Sequence, residues 1–398
     1  MKSEVTLVVS GIVGLVAAAG CSGVMATAPP PVARAEPPVP AQGNPFDGAD
    51  VAVDPAYVAE VEATVPMAGQ RAAQLRALEA FPTAVWFDSI ASTASASRHL
   101  DDALARQRQI GRPVVSLFVA YDLPDRDCSA QASSGELSSA SGGEAKYEAE
   151  FLRPLASQFR AHPAQRIVVI LEPDSLGNIV TNTRVPKCAG AEAVYERSIA
   201  TAIHTLTMPN VWLYLDVAHA GWLGWNRNRS KLAALVKDVL TAAGGVDRIR
   251  GFATNVSNYD PLHDGDLAKL EPSDPCPDEL TYVDKLSATL AEAGIAGKGF
   301  LVDTSRNGRG ARSKSGSWCN VAGAGLGERP RASPTPGVDA YMWIKPPGGS
   351  DGGSDPGKPG FDPSCGHDSP DSMQGAPPAG QWFPAHLFGL LDHASPPL

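Results

Sequence analysis

Seven short apolar runs, at 84–87, 114–121, 166–172, 211–217, 251–255, 299–303 and 340–345, punctuate the chain. Between them lie longer segments whose apolar residues recur at helical spacing: 56–80, 96–109, 143–160, 190–206, 229–243, 280–293 and, after the last run, 383–391. The runs are continuous rather than alternating and rich in β-branched residues, as expected of strands covered on both faces. Strand–helix alternation of this kind predicts an α/β fold, a parallel sheet with helices outside it. Seven strands rather than eight predict a distorted, incomplete β/α barrel.

The strand ends carry the chemistry. Ile167-Val-Val-Ile-Leu-Glu-Pro-Asp-Ser-Leu176 runs from a buried strand straight into Glu172 and Asp174 around a proline. Trp86-Phe-Asp88, Phe118-Val-Ala-Tyr-Asp122, Trp212-Leu-Tyr-Leu-Asp216 and Phe300-Leu-Val-Asp303 also end in aspartate. Carboxylates at the mouths of buried strands are costly unless used or paired, and acids converging on one rim suit acid/base hydrolysis of a neutral polymer. Two readings stand for each principal acid. Asp174 is either a general acid kept protonated by burial or the N-cap of a helix. Asp127 is either a working acid or part of a salt-bridged turn with its neighbours. Asp351, in the Gly-rich segment 348–353, is either a turn residue or a carboxylate carried to the site. That segment lacks the Gly-Lys-Ser/Thr ending of a phosphate loop.

Composition narrows the partners. A net charge of −10 excludes nucleic acid as a substrate surface, and 43% hydrophobic with 19% charged residues can build a sizeable core. Lys2 followed by the apolar run from Val5 to Ala19 reads as an export signal rather than a membrane span. Ala18-Ala-Gly-Cys21 reads as a lipoprotein box that would put a lipid anchor on Cys21, Ala33-Arg-Ala35 as a later cleavage site, and an uncleaved anchor is the third alternative. The expected organisation is a signal over 1–21, an Ala/Pro-rich spacer over 22–43 and a catalytic domain over 44–398, working outside the cell as a monomer. Six cysteines suit an oxidising compartment. No pair has Cys-x-x-Cys spacing, so a zinc site is not expected, nor any metal or cofactor. With Cys21 lipidated or removed one cysteine is left over, and Cys276 in Asp274-Pro-Cys-Pro277 is the candidate. Two long loops, 122–142 and 346–381, are rich in Gly, Ser and Pro. Of seven tryptophans, Trp212 and Trp343 fall inside strands and read as core. Trp86, Trp222, Trp225 and Trp318 fall at strand ends or in loops, where indole faces stack on sugar rings. An aspartate, a histidine and a tryptophan at one strand mouth, Asp216, His219 and Trp222, favour a ligand site there.

Six ordered motifs, Tyr121-Asp-Leu-Pro-Asp-Arg-Asp-Cys128, Leu171-Glu-Pro-Asp-Ser-Leu176, Tyr214-Leu-Asp-Val-Ala-His-Ala-Gly-Trp222, Ala253-Thr-Asn-Val-Ser-Asn258, Trp318-Cys-Asn320 and Trp343-Ile-Lys-Pro346, resemble glycoside hydrolase family 6, the inverting β-1,4-glucanases. The resemblance runs from about Asn44 to the C-terminus and implies a distorted barrel of seven parallel strands. It implies Asp174 as general acid, Asp127 as the acid that raises its pKa or relays the water's proton, and Asp351 as base or charge stabiliser. Tyr121 and Ser133 match residues near the distorted sugar and the water, Trp86 and Trp318 donor-side stacking positions, Trp222 and Trp225 acceptor-side ones, and Lys345 a sugar contact. Asp88, Asp216, His219 and Asn255 are carried over as further glucan-binding positions. Cys128–Cys188 and Cys319–Cys365 match the family's two disulfides.

One position departs from the pattern: Gly349 stands where the family has glutamate, which opens the alternative of a glucan-binding protein with weakened turnover. The long interval from Asp351 to Ala379-Gly-Gln-Trp382, carrying Phe361-Asp-Pro-Ser-Cys365, resembles cellobiohydrolases, whose loops roof a tunnel, rather than open-cleft endoglucanases.

Overall fold

The apolar runs form the strands of a single sheet in the computed structural model, which describes residues 6–7, 10–11, 40–263, 266–309, 312–314 and 316–398. Most of the leader, most of the spacer and Cys21 lie outside the described residues. The strands are β1 (Asp50–Val51), β2 (Val85–Phe87), β3 (Val114–Ala120), β4 (Arg166–Leu171), β5 (Val211–Asp216), β6 (Gly251–Thr254), β7 (Gly299–Asp303), β8 (Arg331–Thr335) and β9 (Val338–Met342). Their order is β1-β3-β4-β5-β6-β7-β9-β8, with β2 also on β3. Every pairing is parallel except the edge strand β8, antiparallel on β9. The sheet curls until its ends meet: Thr83 bridges Trp343, and the Ala84 N–H donates to the Trp343 carbonyl at 3.2 Å. This is the distorted barrel expected, with two strands more among the described residues. β1 is only two residues long and β8 is largely exposed, so neither carries an apolar run to read.

Burial on both faces explains the continuous runs. Val115, Leu117 and Val119 of β3 pack with Val168, Ile170 and Leu301 inside the barrel, while Phe118, Ile167, Val169 and Phe252 pack outward beneath the helices. Trp343 is fully buried as expected. Trp212 is only half-buried, its ring N–H donating to the carbonyls of Gln42 and Gly43 at 3.1 Å.

The helices are α1 (Pro55–Thr64), α2 (Ala72–Ala77), α3 (Ala96–Ile110), α4 (Gly143–Lys146), α5 (Arg153–Ala161), α6 (Ser175–Thr181), α7 (Pro186–Leu206), α8 (Ala220–Leu223), α9 (Asn226–Ala242), α10 (Glu279–Glu292) and α11 (Pro384–Asp392). The expected helix 56–80 is divided at Pro66 into α1, short 3₁₀ turns and α2, because proline brings no N–H and crowds the preceding turn. Within 143–160, Pro154 has the same effect more gently: Tyr147–Leu152 widens into a π-helical segment before α5. Helix α6 was not anticipated. Six of its seven residues are buried, so it shows no polar face to set a period.

Cys128–Cys188 and Cys319–Cys365 are bridged, across sequence separations of 60 and 46, and Cys276 is a buried free thiol. Loops of this length are each worth about 4 kcal/mol in the chain-entropy account. The Cys128→Ser/Cys188→Ser double variant is therefore expected to lose about that much in urea unfolding, and peptide mapping of the unreduced protein to recover both bridges.

Candidate active site

Where β4 ends, the chain turns sharply: Glu172 (φ +50°) and Asp174 (φ +66°) are both left-handed, as are Asp125, Asp127, Ala218, Asn255, Ser257 and Asn320. Such backbone is costly for residues with a Cβ and persists where the surroundings enforce it. Here the Ser175 hydroxyl donates to the Glu172 carbonyl at 2.6 Å and the Asp174 N–H to Asp216 Oδ1 at 3.0 Å. Asp174 occupies the N-cap position of α6, yet its side chain accepts no capping bond. The cap reading therefore fails, and the half-buried carboxyl makes no hydrogen bond to the described residues. Burial, reinforced by the charges of Asp127, Asp216 and Asp351 and opposed by Lys345, pushes its pKa well above the ordinary value.

Asp127 stands on the loop after β3. Its Oδ2 accepts from the Ser133 hydroxyl and, at 3.4 Å, from the Tyr121 hydroxyl. Burial raises its pKa, against the Ser133 bond and the charge of Arg126. Arg126 donates to the carbonyls of Ser133 (2.9 Å), Asp88 (2.8 Å) and Tyr121 and lies over the Tyr121 ring. Tyr121 in turn meets Trp86 edge-on, centroids 5.5 Å apart, and the Trp86 indole N–H donates to the Ile344 carbonyl. Trp86 is half-exposed, with the Lys345 ammonium 5.6 Å from its ring centre. Asp88 is exposed.

Asp351 differs in kind. Arg306 Nη1 approaches both its oxygens at 2.9 Å, and Oδ2 also accepts from the Tyr259 hydroxyl (2.7 Å) and the Asn320 N–H (2.8 Å). Lys345 Nζ is 3.7 Å from Oδ1 and donates to the Ser350 carbonyl. Burial opposes ionisation here, but Arg306, Lys345 and Asn320 outweigh it and hold the carboxyl below its usual range. The turn reading gives way to a paired carboxylate.

Other expected ligand positions turn their polar atoms to the protein. Asp216 Oδ1 accepts the N–H groups of Asp174 and Ala218. Asn255 is fully buried and bonds the backbone of Asp260 and Asp303. His219 places Nδ1 2.6 Å from Asp260 and Nε2 2.8 Å from Asn258. Trp222, with its N–H on Thr181 and its ring over Gly177, is half-buried, as are Trp225 and Trp318. His219, Asp260 and Glu279 bring ligand atoms within 4.8 Å of one another. Those atoms are occupied, however: Asp260 by Arg312 and the Gly221 N–H, Glu279 by the Ala220 N–H and the Thr254 hydroxyl. A guanidinium on the central carboxylate makes this a hydrogen-bonded network rather than a cation site.

Sequence reading missed what lies beneath the acids. Glu172 is fully buried and accepts the Asp122 and Leu123 N–H groups and the Tyr147 hydroxyl (2.5 Å). The Asp122 carboxyl beside it has no hydrogen bond among the described residues, only Arg126 at 3.7 Å. Burial pushes Glu172 to about 7; burial and the Glu172 charge push Asp122 to about 8; burial pushes Asp216 to about 7. A carboxyl with a raised folded-state pKa contributes stability below its unfolded pKa, about 4, and loses it as pH rises through the folded value. Thermal melts should therefore show Tm falling by several degrees between pH 5 and pH 8. A Tm rising across that interval would overturn these assignments.

The two long loops meet: Asp362 Oδ2 accepts the N–H groups of Gln131 (2.8 Å) and Ala132 (3.1 Å). Thus the loop carrying Asp127 and the segment carrying Asp351 are tied to each other.

A curled parallel sheet with acids gathered at the C-terminal ends of its strands defines a barrel enzyme of the acid/base class. The family model for glycosyl hydrolases family 6 matches residues 46–394, and the chain belongs to that family. It is 40% identical over 362 residues to the probable 1,4-beta-D-glucan cellobiohydrolase C of Aspergillus fumigatus, covering 89% of this chain and 78% of the relative. The catalytic domain of CcCel6A, solved with p-nitrophenyl beta-D-cellotrioside, superposes with TM-score 0.85 at 43% identity, covering 89% of this chain and 99% of that one. Cellobiohydrolase II from Humicola insolens, solved with glucose and cellotetraose, gives TM-score 0.85 at 34% identity over 89% of this chain and all of the other.

Proposed function

We propose that the chain is a cellobiohydrolase, cleaving β-1,4-glucosidic bonds of cellulose with inversion inside a roofed cleft. The observation that carries this is the Asp362 clasp on Gln131 and Ala132, which joins the loop bearing Asp127 to the segment bearing Asp351. The relatives named as cellobiohydrolases support the same activity.

In this reading Asp174 gives its proton to the leaving oxygen. Ser133, bonded to Asp127, helps to hold the attacking water in this reading, and Asp127 takes up or passes on that water's proton. Asp351, with its oxygens fully engaged, acts as a fixed negative charge toward the developing oxocarbenium ion rather than as the base. Trp86 and Trp318 receive the donor side of the chain and Trp222 and Trp225 the acceptor side. Gly349 leaves Lys345 free of an acidic neighbour at that position, so the ammonium serves Ser350 and Asp351. The enzyme works as a single chain outside the cell, where its disulfides persist, either free or held by a lipid on Cys21.

The test is the viscosity of carboxymethylcellulose against new reducing ends. The wild type should release reducing sugar with little early loss of viscosity. Asp362→Ala, which removes the clasp, should lower viscosity several-fold more per reducing end. A steep early fall with the wild type would make it an endoglucanase.

A further inference from the structure

Asn320 bonds the turn that presents Asp351 at three points. It follows Trp318 and Cys319, is fully buried and lies in the left-handed region (φ +42°). Its N–H donates to Asp351 Oδ2 at 2.8 Å. Its side chain returns to the same turn: Oδ1 accepts the Asp351 N–H at 2.9 Å, and Nδ2 donates to the Gly352 carbonyl at 3.0 Å. The Asn320 carbonyl accepts the Met373 N–H at 3.0 Å, so the residue is itself tied to the same long segment.

Packing closes the turn where it is not bonded. A Cβ on Gly352 would lie 2.7 Å from both Cys365 Sγ and the Ala132 Cβ, so the main chain passes there only because the residue is glycine. Cys365 is bridged to Cys319, the neighbour of Asn320. Few side chains could replace the amide. Left-handed backbone favours Asn, Asp and Gly. Glycine would keep the N–H bond and lose the other two. An ionised aspartate would offer Gly352 no donor and set a second negative charge beside Asp351. The amide supplies an acceptor and a donor together, without charge.

We propose that Asn320 is a positioning residue for glycoside cleavage, setting where the Asp351 negative charge lies relative to the reacting sugar. Arg306 and Tyr259 reach only the carboxylate. Asn320 holds the carboxylate and the Asp351 main chain at once, and so fixes the side chain at its root. A charge that stabilises a transition state acts through preorganised placement, and misplacing it costs rate rather than affinity. This role rests on the reading of Asp351 as a fixed charge. It also gives the Trp318-Cys-Asn320 motif a second use: the residue two places after the Trp318 ring is the one that holds the acid.

The test is steady-state cleavage of cellotetraose by Asn320→Gly, Asp351→Asn and the double variant, with rates referred to the sites counted by calorimetric titration of cellobiose. Glycine accepts the left-handed backbone, so Asn320→Gly removes the amide without strain. Its kcat should fall about 10–10²-fold, the scale of a misplaced reacting group, with KM within about two-fold of wild type. In the Asp351→Asn background the same change should cost less than about three-fold, because residues acting as a unit are not additive. If the glycine variant binds no cellobiose, Asn320→Asp enters the same cycle with the same expectation. An undiminished kcat, a rise in KM alone, or an equal loss in both backgrounds would overturn the proposal, since a merely structural residue lowers both alike. Wild-type kcat in Asp351→Asn would instead remove the fixed-charge reading, and the proposal with it.

Discussion

Replacing Asp174 with asparagine is expected to slow cleavage of unactivated glucans by about 10²–10⁴-fold, the usual worth of a positioned general acid, with the fold intact. The side chain accepts no bond from the described residues, so the amide breaks none there. What disappears is a proton held at the cleft by burial and by the negative charges of Asp127, Asp216 and Asp351. A substrate whose leaving group departs without protonation should recover most of the rate, which a merely misfolded variant would not do. The wild-type rate should fall as pH rises through the raised pKa of Asp174. Asp127→Asn removes a neighbouring negative charge, eases ionisation of Asp174 and should move that alkaline limb to lower pH while lowering the rate. Full activity of Asp174→Asn on cellulose would sink the assignment.

The strand plan and the acids at strand ends were legible because both are local. A strand buried on both faces writes itself as an unbroken apolar run, and an acid at its end stands out against that run. Helix α6 was hidden because burial on all sides erases the period. Strands β1 and β8 were hidden because an edge pairing by backbone alone imposes no composition. The partners of the acids were the least legible part. Asp351 is completed by Arg306, Tyr259 and Asn320, 45, 92 and 31 residues away in sequence. Asp122 and Glu172 share a pocket with Tyr147 though they end different strands. Sequence places such groups on the rim but leaves open whether each faces the cleft or the protein. That distinction separates the unpartnered Asp174 from Asp216, Asn255 and His219, which resemble it as strand-end polar residues and are bonded inward.

Asp351→Ala should destabilise the protein by about 3–5 kcal/mol, the cost of breaking a buried ion pair from one side. Arg306 has no exposed side-chain surface and Asp351 5%, so the guanidinium would be left charged in a dry site. The Tyr259 hydroxyl and the Asn320 N–H would lose their acceptor as well. Asp351→Asn, which keeps an acceptor there, should lose less. Because ion pairing holds the Asp351 carboxyl below its ordinary pKa, its contribution is complete above the unfolded value, about 4, and is lost as pH falls through the folded one. The gap between wild type and Asp351→Ala in urea unfolding should accordingly be full at pH 6 and narrower at pH 3. Activity should fall too, since the fixed negative charge is gone, but added azide or formate should not restore it, because no proton-accepting role has been vacated. Rescue by a small anion, with stability unchanged, would make Asp351 the base and its pairing with Arg306 incidental.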